Sequence, residues 1–359
     1  MSPKVKIVLF DDVENMREEI SGALRRRLGA GGVVHAFDLQ RQGPEADAIL
    51  TYEDRLALSL SRAPYAGATL LVADAALSQS AAYMGLSVGA VASAARRLAI
   101  PVCDYARDPE RDKWRNRWEE GRINLSLAAG VDEFARQVIV VARGFAAIAA
   151  QLPLIRRTRT NRTPAALLAA LLGKPEYVDR IALYSVGDQN RIADMSTPDQ
   201  QRKEQNRRLV SFLGRWIWDS LLRYPGILVN EVAAASYLNI ATADFRKPKV
   251  RAVFKKALYD GPFADEQRPQ WWRGMLDDIV ARSGYPDGLQ LARKTANPKI
   301  TRSECCEDSS RPAGYYCIIS EQPVSLDNSR GGLSWFPRGA DLTRISKKTF
   351  DEYSPWLGN

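Results

Sequence analysis

The feature that most constrains the fold is a short apolar run near the N-terminus that leads directly into an amphipathic helical pattern. Residues 7–10, Ile-Val-Leu-Phe, form an uninterrupted apolar run typical of a central strand covered on both faces. After a short polar break, apolar residues recur at the spacing of an α-helix, at Met16, Ile20, Ala23 and Leu24. A buried strand followed at once by an amphipathic helix is the repeating unit of α/β folds.

Two acidic residues, Asp11 and Asp12, stand where this strand is expected to end. In an open α/β sheet, ligands bind beyond the carboxyl ends of the strands, so the pair lies where a functional site would be. The alternative is that one carboxylate caps the following helix, because a carboxylate at a helix N-terminus accepts N–H groups and suits the helix dipole. The residues alone leave both interpretations open.

The same order of strand and helix continues through residue 151. Further strands are predicted over residues 33–37, 68–73, 101–105 and 123–127. Helices are predicted over residues 46–61, 88–99, 109–120 and 131–151. Strands that alternate with helices at this spacing predict an α/β domain built on a doubly wound, five-stranded parallel sheet. A further acid, Asp74, directly follows the third strand.

Five β/α units that open with KIVLFDD and carry Asp74 after strand three resemble the response-regulator receiver domain, which has a flavodoxin-like fold. The resemblance covers residues 1–150 and implies one pocket formed by Asp11, Asp12 and Asp74. In receivers the acids hold Mg²⁺, and the acid matched here by Asp74 accepts a phosphoryl group from a histidine kinase. Clustered carboxylates suit a hard cation, which offsets the charge of the incoming phosphoryl group.

Two positions depart from the receiver pattern. Receivers have Thr or Ser at the end of strand four, where this chain has Asp104, Tyr105 and Ala106. They have Lys at the end of strand five, where this chain reads INLSL over residues 123–127. In receivers this Lys pairs with the phosphorylated Asp. Its absence predicts a degenerate receiver that is not expected to switch by phosphorylation.

Charge and histidine content narrow the classes of function. The net charge is +9, and residues 1–150 hold 19 basic and 19 acidic residues, so the whole excess lies in residues 151–359. This favours an anionic partner for the C-terminal part, either nucleic acid or an acidic protein surface. The single histidine, His35, lies in a predicted strand and is expected to be structural. One histidine cannot supply a metal site that needs two within the chain.

Composition also indicates where the protein works. The chain has 359 residues, enough for two domains. No run of 18 apolar residues and no signal-peptide pattern is visible, so no membrane span is expected. Four cysteines do not form a disulfide framework, which favours a reducing cytoplasm.

Basic residues concentrate in two places in the C-terminal part. The first is a predicted linker, where the expected contact residues are Arg156, Arg157, Arg159 and Arg162. The second follows a polar turn in a helical region and contains Arg246, Lys247, Lys249, Arg251, Lys255 and Lys256. Each set could contact a phosphate backbone, and each could instead be an ordinary solvent-exposed surface. The second set has the outline of a helix-turn-helix, with a turn expected to be too long for the tight motif.

Four segments are expected along the chain. They are a receiver-like domain over residues 1–152, a basic linker over 153–164, a mostly helical effector or adaptor domain over 165–283, and a C-terminal α+β appendage over 284–359. Within the appendage, residues 315–320 and 333–336 are predicted strands. Its cysteines, Cys305, Cys306 and Cys317, match no ordinary zinc spacing.

These patterns predict a degenerate receiver-domain protein that acts as a regulator or adaptor in a bacterial signalling or phage-defence system, the latter by analogy of fold. Its receiver-like domain would bind a protein partner or form a homodimer. Its basic part would engage a protein complex or nucleic acid. One alternative is a DNA-binding transcriptional response regulator. The other is a metal-dependent enzyme using clustered carboxylates, although no Ser-His-Asp, Cys-His, P-loop or GxGxxG pattern supports it.

Overall fold

A computed structural model describes two compact units, each assembled from two separate stretches of chain. Unit 1 contains residues 1–162 and 191–215, and unit 2 contains residues 163–190 and 216–359. The described residues are 4–38, 51–77, 86–106, 122–157, 163–185, 192 and 202–353.

Unit 1 is built on a five-stranded sheet in which all strands run parallel. Its strands are β1 Val5–Phe10, β2 Gly32–Ala36, β3 Leu70–Asp74, β4 Val102–Ala106 and β5 Ile123–Ser126. The strand order is β2-β1-β3-β4-β5, so β1 pairs with β2 on one side and β3 on the other. The side chains of residues 7–10 are fully buried, as expected for a central strand. The predicted α/β class and parallel five-stranded sheet are therefore confirmed.

In the described part of the first 157 residues, four helices accompany this sheet: α1 Glu14–Leu28, α2 Tyr52–Leu60, α3 Val88–Leu98 and α4 Val131–Ile155. Val8 and Phe10 of β1 lie in one core with Leu56 of α2 and Val91 of α3. Because side chains alternate along a strand, the intervening residues of β1 point to the other face. There α1 packs against α4, and α4 contacts β1, β3 and β5.

Helix α4 is long and apolar enough, by length and composition alone, to cross a membrane. Half of its most apolar 18-residue window is buried inside the protein. Its packing on α1 and on three strands is that of a core helix, which is consistent with a soluble protein. The cytoplasmic location stays a prediction.

Unit 2 begins with α5 Pro164–Leu171 and α6 Val178–Tyr184. Helix α7 Arg202–Trp216 belongs to unit 1 except for its last residue, and it continues as a π-helical turn, Ile217–Leu221. The remaining helices are α8 Glu231–Tyr237, α9 Thr242–Phe245, α10 Pro248–Val253, α11 Arg273–Ser283, α12 Gly288–Thr295 and α13 Lys347–Tyr353.

Two small sheets complete unit 2. Strands β6 Leu228–Asn230 and β7 Gln270–Trp272 form an antiparallel pair within the segment predicted as helical. The C-terminal sheet has the order β10-β11-β8-β9. Its strands are β8 Tyr315–Cys317, β9 Pro323–Val324, β10 Ser329–Arg330 and β11 Thr343–Ser346.

Several local predictions differ from the structure. Helix α4 continues through Pro153 to Ile155, because the N–H of Arg156 still bonds to the carbonyl of Leu152 at 3.0 Å. The strand predicted over residues 333–336 is wrong, because this stretch is a turn in which Trp335 and Phe336 pack edge-on at 4.5 Å. The predicted helix 109–120, the start of the helix 46–61, and Arg159 and Arg162 lie outside the described residues.

The turn between α8 and α9 corrects another expectation. Helix α8 ends at Tyr237 and α9 begins at Thr242, so only four residues separate them. Asn239 adopts a left-handed backbone conformation with φ of 59° and so permits the tight reversal. The polar turn predicted over residues 241–248 contains the short helix α9, so the four-residue turn joins α8 to α9 rather than to the basic helix α10.

Candidate functional site

Three carboxylates meet at one edge of the unit 1 sheet. Asp11 follows β1, Asp74 is the last residue of β3, and these two strands pair in parallel with Phe10 opposite Ala73. One carboxylate oxygen from each of Asp11, Asp12 and Asp74 lies within 4.8 Å of the others. Among the described residues, this is the one group of three or more acidic, Cys or His side chains that approach so closely. The predicted convergence of these residues is therefore present.

Burial distinguishes the members of this carboxylate cluster. Asp11 is fully buried and Asp74 is 1% exposed, whereas Asp12 is partly exposed. Buried carboxylates are costly unless hydrogen bonds or positive charge stabilise them. The cluster is therefore closed on the side of the sheet and open to solvent beside Asp12.

Backbone N–H groups orient the two buried carboxylates in the same way. The Oδ1 of Asp11 accepts from the N–H of Val13 at 2.8 Å, and the Oδ1 of Asp74 accepts from the N–H of Ala76 at 2.9 Å. Helix α1 begins after Val13, and no side chain caps its first turn. Neither acid is the N-cap residue of α1, which is Val13, but Asp11 accepts the N–H of that residue at the start of the helix.

Tyr105 of β4 adds a fourth polar group to the three carboxylates, one that the sequence did not reveal. Its hydroxyl donates a hydrogen bond to the Oδ2 of Asp11. Its backbone carbonyl accepts from the N–H of Ala75 at 2.8 Å, next to Asp74. Its ring packs against Phe134 of α4 with centroids 4.8 Å apart. Tyr105 thus lies at the carboxylate cluster, at the end of strand four where receivers have Thr or Ser.

Asp104, the neighbour of Tyr105, has a separate role. It is 4% exposed and forms an ion pair with Arg122 at 3.3 Å. It also accepts a hydrogen bond from the side-chain amide of Asn124 at 3.2 Å. Successive strand residues point to opposite faces, so Asp104 and Tyr105 extend in opposite directions. Asp104 joins β4 to β5 rather than adding a fourth carboxylate to the cluster.

The donor set of the cluster suits a hard divalent cation. Three carboxylates offer only oxygen ligands, which Mg²⁺ and Ca²⁺ prefer. Three negative charges within 4.8 Å also repel one another, and a cation would relieve that repulsion. Asp11, Asp12 and Asp74 are the residues that would hold such an ion. Bound there, it would supply positive charge at the carboxyl edge of the sheet.

Arg156 and Arg157, the two linker arginines that the structure describes, lie in unit 1. Arg156 donates to the side-chain oxygen of Asn206 in α7 at 2.5 Å, and Arg157 is exposed. With Pro153, these residues line a small cavity. One of the two described arginines is therefore engaged inside its own unit.

Half of the second basic set forms ion pairs within unit 2. Arg246 and Arg251 both bind Glu231, and Lys247 binds Asp244 at 2.5 Å. Burial acts to raise the pKa of Asp244, but hydrogen bonds from Lys247 and Thr301 outweigh it and lower the pKa. The side chains of Lys249, Lys255 and Lys256 are exposed.

Comparison with known proteins adds no family assignment. No protein-family model matches the chain, and no curated protein shows significant sequence similarity to it. The functional argument therefore depends on the geometry of the two units.

Proposed function

We propose that this protein is a regulator or adaptor whose unit 1 is a degenerate, receiver-like domain that binds a divalent cation such as Mg²⁺. Its C-terminal part, residues 151–359, which holds the whole excess of positive charge, would engage a protein complex or nucleic acid. The observation that carries the proposal is the meeting of Asp11, Asp12 and Asp74 at the carboxyl edge of the parallel sheet. That edge is where ligands bind in doubly wound folds.

The strand order supports the receiver-like assignment. The order β2-β1-β3-β4-β5 is that of flavodoxin-like doubly wound sheets, whose ligand site lies between the first and third strands. The carboxylate cluster lies at the ends of these two strands. A resemblance of strand motifs and an independent agreement of topology therefore point to the same class of domain.

The end of strand five supports the degenerate assignment. Strand β5 ends at Ser126 and is followed by Leu127, Ala128 and Ala129, so this edge brings no lysine from the strand end. A phosphoryl group on Asp74 would add charge beside two carboxylates without the lysine that receivers use. We therefore expect the cation and protein contacts, rather than phosphorylation, to carry the function of unit 1.

Cation binding is tested by titrating the full chain with Mg²⁺ or Mn²⁺ in a calorimeter. Asp12→Asn should weaken binding at least about tenfold, because it removes one charged ligand from a partly exposed position. The matched control is Glu19→Gln, an exposed acid of α1 with the same change in charge. Equal affinity in the Asp12→Asn variant and the wild type would refute the cation site.

Phosphoryl transfer is tested separately with a small-molecule phosphodonor and Mg²⁺. The intact mass of the protein should stay mostly unchanged, since the charge on a phosphorylated Asp74 lacks its usual lysine partner. Asp74→Asn serves as the control that identifies the modified residue. Stoichiometric addition that disappears in this variant would restore the ordinary switch model.

A further inference from the structure

Helices α8 and α9 form a tight helix-turn-helix. The turn comprises residues 238–241, which is the three-to-four-residue length of this motif. Asn239 has the positive φ for which Gly is usual, and Leu238 and Ile240 on either side of it are buried. Asn230 caps α8 by accepting from the N–H of Ala233 at 2.9 Å. The start of α8 is therefore fixed by a side-chain cap, and the turn that follows α8 is held by two buried apolar residues.

The inner face of this motif is part of a continuous core. Small residues of α8, Ala233 and Ala234, allow close approach of the next helix, where Phe245 is fully buried. Beyond them, Val250 and Phe254 are also buried in the same core. Residues 242–257 are thus held on a rigid support, with their other face exposed.

The connections around the motif are those of a winged helix. Strand β6 precedes α8, and β7 returns after α10 to pair with it, with Val229 opposite Trp271. On its other side, Trp271 forms a bridge with Leu258, which closes residues 259–269 into a loop. The order is therefore a strand, a helix-turn-helix, a single bridging residue, a loop and a second strand.

Positive charge is concentrated on the exposed side of the second helical stretch. Residues 242–257 contain six basic residues and one acidic residue. Lys249, Lys255 and Lys256 alternate with buried Val250 and Phe254, so they lie on the outer face. The described residues provide these three lysines with no ion-pair partner, unlike Arg246, Lys247 and Arg251, which bind Glu231 or Asp244.

We infer that unit 2 binds duplex DNA through the exposed side chains of residues 242–257, termed the α9–α10 surface, with Lys249, Lys255 and Lys256 on the phosphates. A helix-turn-helix places its second helix in the major groove, and the flanking basic residues fix its position on the backbone. The loop 259–269 carries three acids and one arginine, so we assign no phosphate contact to it. The inference rests on the proposed function, since it names the partner of the C-terminal part.

The test uses the full chain and a fluorescent DNA duplex of about 20 base pairs, two turns of the helix. Affinity is measured by anisotropy across a salt series. The variant is Lys249→Gln, Lys255→Gln and Lys256→Gln together. The matched control is Arg338→Gln, Lys347→Gln and Lys348→Gln, three exposed residues of the same unit with the same total change in charge.

We expect the wild-type protein to bind at low salt. In the variant that replaces Lys249, Lys255 and Lys256, the slope of log affinity against log salt should become shallower by about 2.7, because each of the three lost phosphate contacts contributes about 0.9. The control should keep the wild-type slope. Glu231→Gln, which releases Arg246 and Arg251, should tighten binding several-fold. This gain gives a second readout that no loss of folding can imitate.

Three results would overturn the inference: no binding at micromolar protein in low salt, equal losses in the two triple variants, or a single strand that competes as well as the duplex. The assay is run without added divalent cation and repeated with Asp12→Asn. Failure of the cation site therefore leaves the DNA result unaffected, and failure of DNA binding leaves the cation titration unaffected.

Discussion

Tyr105 contributes a neutral hydrogen-bond donor to the carboxylate cluster. Its hydroxyl donates to Asp11, which is fully buried, while its ring is held by Phe134. A neutral donor stabilises a carboxylate without offering the positive charge that a lysine would bring. The hydroxyl of Tyr105 thus stabilises the buried carboxylate of Asp11 without adding a positive charge of its own.

Tyr105→Phe is expected to lower the free energy of unfolding by about 1–3 kcal/mol, because it removes a donor from a buried charged acceptor. Mg²⁺ should recover part of this loss by stabilising the same carboxylate. Urea denaturation with and without the cation measures both effects. Tyr65→Phe is the control, since its hydroxyl only accepts from the exposed N–H of Asp38. Equal stability of the Tyr105→Phe variant and the wild type would contradict the assigned role.

Two helical glycines of unit 1 differ in the space around them, and the comparison shows how α7 packs. A Cβ on Gly214 of α7 would overlap the ring of Phe145 in α4, so these two helices pack closely at this position. A Cβ on Gly22 of α1 would meet only the end of the Arg26 side chain, at 3.6 Å. The first glycine is required by packing, whereas the second only adds flexibility to the unfolded chain.

Gly214→Ala should therefore destabilise unit 1 by about 1–3 kcal/mol, as overpacking does in a dense core. Gly22→Ala, the matched change in an open position, should stabilise it by about 0.5–1 kcal/mol. Thermal denaturation of the two variants compares them directly. A stabilising Gly214→Ala substitution would show that α7 is not packed against Phe145.

The division into units does not follow the order of the chain. Residues 191–215 belong to unit 1, although residues 163–190, which precede them in the chain, belong to unit 2. Leu209 and Leu213 of α7 are fully buried, and Asn206 accepts a hydrogen bond from Arg156, the residue that follows α4. A boundary placed after residue 152, where composition changes, would leave unit 1 without this helix.

We expect a fragment of residues 1–216 to melt at least about 5 °C above a fragment of residues 1–152, which corresponds to about 2 kcal/mol in a domain of this size. A fragment of residues 1–192 controls for chain length, since it has the linker without α7. It should melt like the shorter fragment. Equal melting of all three fragments would show that α7 adds no stability to unit 1.

Periodicity and strand-end acids were enough to predict the α/β class, the parallel sheet, and the meeting of Asp11, Asp12 and Asp74. These features follow from local patterns, because a parallel sheet brings every strand's carboxyl end to one edge. The apolar runs at residues 7–10 and 70–73 and the helical spacing of α1 needed no knowledge of distant contacts. Asn239 is a sequence signal for the tight turn after α8, because Asn adopts the left-handed conformation more readily than most residues other than Gly.

Other features depend on residues far apart in the chain, which no local pattern records. The bond from Tyr105 to Asp11 joins residues 94 positions apart, and β7 pairs with β6 across 40 residues. The ion pairs of Glu231 with Arg246 and Arg251, which divide the basic set into engaged and exposed halves, likewise required the fold. Composition counts charges, but only packing brings a particular carboxylate to a particular guanidinium, because the free energy of an ion pair depends on distance and burial.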